Sequence, residues 1–292
     1  MTAPLETRAQ DLASRLPPLL VAAERIAASL AAGAHGRRRT GPGETFWQFR
    51  SQQPGDSLTA IDWRQSARSQ RLFVRETEWA AAQTVWIWRD GSASMAWRSH
   101  PSVPEKRDRA DVLALALAAL LLRGGERVAL LDGSLPPTTG GGALQRFAHA
   151  LSTSGQAPLP GPERLAHHAQ LVLLSDFLMP AESVTAQLRA LGAAGAVGHL
   201  VQILDPAEES LPYDGRVRFT GLEGEGDMIV RRAEDVRAGY RERLAAHRDA
   251  LATAARAFGW SFAIHHTDHP PEAALLALHL RLSGPRAGGL GQ

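Results

Sequence analysis

The sequence predicts an α/β protein built on a doubly wound, mainly parallel sheet. Three observations carry that reading. Short apolar runs recur at Val85–Arg89, Arg127–Asp132, Leu171–Phe177, His199–Leu204 and Trp260–His265, each of strand length. Helix-forming stretches rich in Ala and Leu alternate with them, notably Lys106–Leu122, Glu182–Ala190 and Ala233–Phe258. Several of the apolar runs end in an acidic residue, Asp90 and Asp176 among them. In open α/β sheets ligands bind at that end of the strands.

The elements follow in order. Leu5–Ala32 places Leu12, Leu16, Leu19, Leu20, Ile26 and Leu30 at helical spacing, broken at Pro17 and Pro18, and is expected to pack against the body. Residues 1–35 therefore form a helical segment. Residues 36–83 form a basic, aromatic arm that opens with Arg37, Arg38 and Arg39. The arm continues through Phe46, Trp47 and Phe49, a turn at Pro54-Gly55-Asp56, and Ile61-Asp62-Trp63-Arg64. It closes on an alternating strand, Leu72–Glu76, and Asp62, Arg64 and Arg68 are expected to form a buried network.

The main domain spans residues 84–283. Its central stretch is Val-Trp-Ile-Trp-Arg-Asp-Gly-Ser-Ala-Ser-Met, 85–95: a buried strand, then a tight loop displaying Asp90, Ser92 and Ser94. A carboxylate and two hydroxyls at a strand end suit a hard cation such as Mg²⁺ or Mn²⁺, although Asp-Gly-Ser is also ordinary turn chemistry. The helix from Lys106 is apolar almost all round from Val112, so it should be buried. Thr138-Thr139-Gly140-Gly141-Gly142 leads into the helix Ala143–Leu151, and Ala157–Pro162 reads as a linker. Asp176 would share a sheet edge with Asp90 if their strands are neighbours, where a cation would relieve the repulsion of the two carboxylates. Its other reading is a cap for the helix at 182. Arg216–Phe219 and Met228–Arg232 read as a hairpin, Pro271–Leu282 as a closing helix, and residues 284–292 as a glycine-rich flexible tail.

Composition narrows the function. The 292 residues are 44% hydrophobic and carry a net charge of +2. So small a charge argues against nucleic acid as a partner. The pI of about 9.6 reflects arginine, since Lys106 is the sole lysine. There is no cysteine, hence no disulfide and no thiolate metal site. No apolar stretch reaches a membrane span, and the first residues do not read as a secretory signal, so a soluble cytoplasmic protein is expected. There is no Gly-x-Ser-x-Gly and no phosphate-binding lysine loop, which argues against nucleophilic hydrolysis and nucleotide turnover. His265-His266-Thr267-Asp268-His269 invites a zinc reading, but neighbours on a strand point to opposite faces.

The spacing Asp90-x-Ser92-x-Ser94 after an apolar strand resembles the metal-ion-dependent adhesion site of von Willebrand factor A domains. Gly55-Asp56, Ile61-Asp62-Trp63-Arg64, Ser66-Ala67-Arg68, an Arg-Glu strand and then Asp90–Met95 is the order seen in a bacterial family catalogued as domain of unknown function 58. The resemblance covers roughly Gly36 to Leu280. It departs at Ser51-Gln52-Gln53, usually more aromatic and basic, and at Ser57, usually acidic. It implies a von Willebrand factor A-like (Rossmann-like) doubly wound fold with an N-terminal helical and β arm. It also implies a site in which Asp90, Ser92, Ser94, Asp176 and one of Thr138 or Thr139 surround Mg²⁺ or Mn²⁺. The function implied is non-enzymatic: a metal-dependent protein-binding adaptor that works with a MoxR-type AAA+ ATPase or its client and accepts an acidic side chain from the partner. The alternatives are a structural adaptor with an empty site and a metal-dependent hydrolase. The second lacks a positioned general base.

Overall fold

The computed structural model describes residues 21–28, 45–51, 61–68, 71–78, 83–154, 165–166, 169–224 and 226–283. The expectations for Arg37–Arg39, the Ala157–Pro162 linker and the 284–292 tail lie outside those residues. The chain divides into two compact units, His35–Ala82 and the remainder.

The smaller unit is an antiparallel pair, β1 (Thr45–Ser51) with β2 (Phe73–Glu78), and a one-turn helix α2 (Trp63–Ser66) between them. The Asp62 amide donates to the Phe73 carbonyl, and the Ser66 hydroxyl accepts from the Phe73 amide, so the helical turn is tied to the start of β2. Arg64 and Arg68 are exposed, which corrects the expectation of a buried Asp–Arg network. Long cationic side chains stay in water unless a partner offsets their desolvation.

The larger unit is a five-stranded, all-parallel sheet in the order β4-β3-β5-β6-β9. Its strands are β3 (Thr84–Arg89), β4 (Arg127–Leu130), β5 (Gln170–Ser175), β6 (Val197–Leu204) and β9 (Ser261–His266). The sheet's first strand, β3, lies inside it, and the second, β4, is placed at the edge beside it. The third returns to the first strand's other side. The order therefore reverses between β3 and β5, and in open α/β sheets ligands bind beyond the C-terminal ends of the strands at such a reversal.

Strand alternation sorts the core into two layers. Val85 and Ile87 of β3 join Val172, Leu174, Val201 and Ile203 on one face. That face is covered by α3 (Lys106–Arg123), α4 (Ala143–Thr153) and α8 (Pro271–Ser283). Helical residues 21–28 (α1) add Ala23, Ile26 and Ala27 to this layer, which agrees with the packing expected of the N-terminal segment. Trp86 and Trp88 point the other way, with Leu171, Leu173 and Leu200, under α5 (Ala181–Ala193) and α7 (Ala233–Ala257). Helix α3 is buried from Leu113 to Leu121 without a break, as its all-round apolar sequence requires. Gly198 lets β6 and Trp260 meet: a Cβ there would lie 2.1 Å from the indole, whose Nε1 donates to the Ala196 carbonyl.

Asp205 caps α6 (Pro206–Ser210) through a reciprocal capping box with Glu208. The hairpin of β7 (Val217–Thr220) and β8 (Asp227–Val230) follows before α7. No helix among the described residues is long and apolar enough to cross a membrane.

Candidate functional site

The C-terminal ends of β3 and β5 collect most of the oxygen-bearing side chains singled out in the sequence. Asp90 follows the last residue of β3, and its amide donates to the Leu174 carbonyl of β5. That bond fixes the level of the loop relative to Asp176, which directly follows β5. The Asp90 carboxylate accepts from the Ser92 amide at 2.8 Å and from the Ser175 hydroxyl at 2.6 Å. The first bond closes the Asp-Gly-Ser turn, and a one-turn 3₁₀ segment at Ala93–Met95 follows it. Arg107 clamps the turn from α3 by donating to the Gly91 and Ser92 carbonyls, each at 3.0 Å.

Asp176 is reached by Ser94. The Ser94 hydroxyl donates to Asp176 Oδ2 at 2.8 Å. The Ser92 and Ser94 hydroxyls lie 3.0 Å apart, and Ser94 has spent its proton on Asp176, so Ser92 donates to Ser94. Asp90 and Asp176 are buried, while both serines are partly exposed at the rim. Asp176 does not cap α5, as its other reading supposed: the N-cap of α5 is Pro180. Its Oδ1 instead accepts from the Leu178 amide, and its carbonyl from Gln202 of β6 at 2.8 Å. The next residue, Phe177, holds a left-handed backbone at φ 48°. Such strain in a bulky residue persists only where the surroundings enforce it. Here Phe177 is buried, its amide donates to Ser175 and its carbonyl accepts from His247.

Thr138 and Thr139 are not brought to this cluster. After β4 the chain turns back, and Thr138 pairs antiparallel with Val128. Val128 lies beside Val85, five residues before Asp90. At about 3.3 Å per residue, Thr138 is roughly 16 Å short of the site along the strand. Its hydroxyl accepts from Arg146, and the Thr139 carbonyl accepts from the same guanidinium.

Sequence reasoning missed the residue that organises the site. Lys106, the first residue of α3, is 1% exposed and places its ammonium 2.8 Å from Asp176 Oδ2 and 2.5 Å from Glu208 Oε1. Burial alone would lower its pKa, but the two carboxylates more than offset this and hold it above the ordinary lysine value. The signal that could have found it is compositional: in an arginine-rich chain one lysine remains. Glu223, from the β7–β8 loop, accepts from the Ser94 amide at 3.3 Å and brings a further carboxylate to the rim.

The donor set fits a hard cation in part. An octahedral Mg²⁺ at about 2.1 Å from its oxygens sets neighbouring oxygens about 3.0 Å apart. The Ser92–Ser94 and Ser94–Asp176 spacings, 3.0 and 2.8 Å, match that edge. Asp90, Ser92, Ser94 and Asp176 are then the residues that would hold it. No group of three or more His, Asp or Glu gathers for metal binding among the described residues, so hydroxyls would supply part of the shell. At the C-terminal end of the edge strand β9, His265 is buried and His266 bonds Glu209, so the adjacent histidines face opposite ways.

A family model described as "Protein of unknown function DUF58" matches residues 48–250. The chain belongs to this family. This DUF58 chain is 31% identical over 196 residues to uncharacterized proteins of Mycobacterium tuberculosis and Mycobacterium bovis, covering 61% of its own length and 60% of theirs. It thus spans about 60% of the length of those relatives. Among solved structures it is similar to the conserved hypothetical protein BatB of Bacteroides thetaiotaomicron, at 14% identity and TM-score 0.44, over 69% of this chain and 98% of that one. An aerotolerance-related membrane protein of Bacteroides fragilis matches at 15% identity and TM-score 0.43, over 68% and 97%. Likenesses this distant carry no argument about the DUF58 chain.

Proposed function

We propose that this DUF58 protein is a non-enzymatic adaptor whose larger unit works as a von Willebrand factor A-like binding domain in the cytoplasm. The observation that supports this reading is the convergence of Asp90, Ser92, Ser94 and Asp176 at the reversal of strand order. Mg²⁺ or Mn²⁺ held there would supply a Lewis-acidic position for a carboxylate from a partner protein. The chain's own residues do the rest. Asp90 fixes the loop through the Ser92 amide, Arg107 holds the loop's carbonyls, and the two hydroxyls stand at the partly exposed rim. A partner's Asp or Glu is costly to desolvate without a cation to receive it, so binding would be conditional on the metal. By family resemblance the partner is a MoxR-type AAA+ ATPase or its client, in assembly or maturation of a protein complex.

The test is a pull-down and affinity measurement against the MoxR-type ATPase encoded nearest to the protein, with Mg²⁺ and then with EDTA. The reading expects binding that disappears with EDTA and with Asp90→Ala. Binding that survives both contradicts the metal-dependent part and leaves a structural adaptor.

A further inference from the structure

Asp176 Oδ2 is approached from two sides. The Ser94 hydroxyl reaches it from the rim and the Lys106 ammonium from the interior, each at 2.8 Å. The ammonium is 1% exposed, so its charge is not screened by bulk water. Its other ligand, Glu208, is held in place twice. Its Oε2 accepts from the Asp205 amide in the capping box, and its carbonyl accepts from the Tyr240 hydroxyl of α7. The Trp97 ring, 5.9 Å from the ammonium, closes a further side. A divalent cation using Asp176 would therefore meet a fixed positive charge already seated on the same oxygen.

We infer that Lys106 is a built-in competitor of the divalent cation for Asp176, and that Glu208 sets how strongly it competes by drawing the ammonium toward α6. The inference rests on the cation reading of the site. A metal that takes Asp176 Oδ2 leaves the ammonium to Glu208 alone. Site occupancy is thereby coupled to the grip on α6 and, through Tyr240, on α7. By linkage, anything that pulls Glu208 away from Lys106 weakens metal binding by the same factor. The rim of the site and the α6–α7 surface then respond to each other without sharing a ligand.

The test is Mn²⁺ binding to the full chain, read as loss of the free-ion electron paramagnetic resonance signal. Wild type is compared with Lys106→Met, Lys106→Arg, Glu208→Gln and Asp176→Asn. Removing the charge should tighten Mn²⁺ about tenfold, the scale of one neighbouring charge on a carboxylate site. Lys106→Arg, which keeps the charge, should bind no tighter than wild type. Glu208→Gln should bind more weakly, and Asp176→Asn should lose binding. A lysine with only a structural role gives the opposite sign, because Lys106→Met would then disorder Asp176 and weaken Mn²⁺. Folding is checked by near-ultraviolet circular dichroism. Should Lys106→Met not fold, Glu208→Gln binding as tightly as wild type or tighter overturns the inference. Wild type that binds Mn²⁺ while folded Lys106→Met binds no tighter overturns the competition alone. No binding by either overturns the cation reading with it.

Discussion

Two regions of the larger unit bury polar groups in opposite ways. At the C-terminal ends of β3 and β5, each buried charge has a partner: Lys106 pairs with Asp176 and with the partly buried Glu208, and Asp90 accepts two hydrogen bonds. On the face beneath α8, two buried histidines give up charge instead. His199 shares one bond with Ser261, while the Nε2 atoms of His199 and His265 meet no protein partner. Burial pushes both down to about 4, helped by Arg281 near His199 and Arg109 near His265. The lesson is about allocation. A polar network survives burial where it is fully paired, and neutral rings suffice where only packing is required.

The largest expected effect breaks the paired region. Lys106→Met leaves the buried Asp176 and the partly buried Glu208 without their counter-ion and should cost about 3–5 kcal/mol in urea unfolding. Replacing both Lys106 and Glu208 by apolar residues should recover part of that loss.

The second effect belongs to the histidine region and has a definite sign. The folded-state values lie below the ordinary histidine value of 6.5, so the unfolded chain binds protons first. This stabilising contribution is full above pH 6.5 and is lost as pH falls toward 4. Thermal melts over that window should show a falling melting temperature, flattened in the His199→Gln/His265→Gln double variant. An unchanged slope would mean these rings do not set the acid response.

A smaller effect tests packing in the same region. Gly198→Ala drives a methyl against Trp260 and should cost about 1–3 kcal/mol, because a close-packed indole cannot step aside freely. The smallest is a control: Arg218 pairs with Asp227 on the exposed hairpin, so Arg218→Ala should change stability by no more than about 0.5 kcal/mol.

The comparison also explains what the sequence could and could not reveal. The strands were legible because an apolar run of five or six residues leaves few alternatives. Asp90, Ser92, Ser94 and Asp176 were legible because each sits at a fixed offset beyond such a run. Lys106 and Glu208 were not, since they meet across 102 residues and no local pattern links the start of α3 to α6. Thr138 and Thr139 failed for a different reason. Their spacing was compatible with a loop beside Asp90, but the chain after β4 doubles back to pair with Val128, a reversal that residue identity alone does not dictate. The Asp62–Arg68 stretch erred through burial: charge and aromatics close in sequence do not require an enclosed network.

The most direct test of the cation site is a Mn²⁺ titration of wild type and of a Ser92→Ala/Ser94→Ala variant, followed by isothermal calorimetry. The account predicts one saturable ion per wild-type chain and none in the variant, with little change in melting temperature because both hydroxyls lie at the rim. Undiminished binding in the variant, or no binding in wild type, would contradict it.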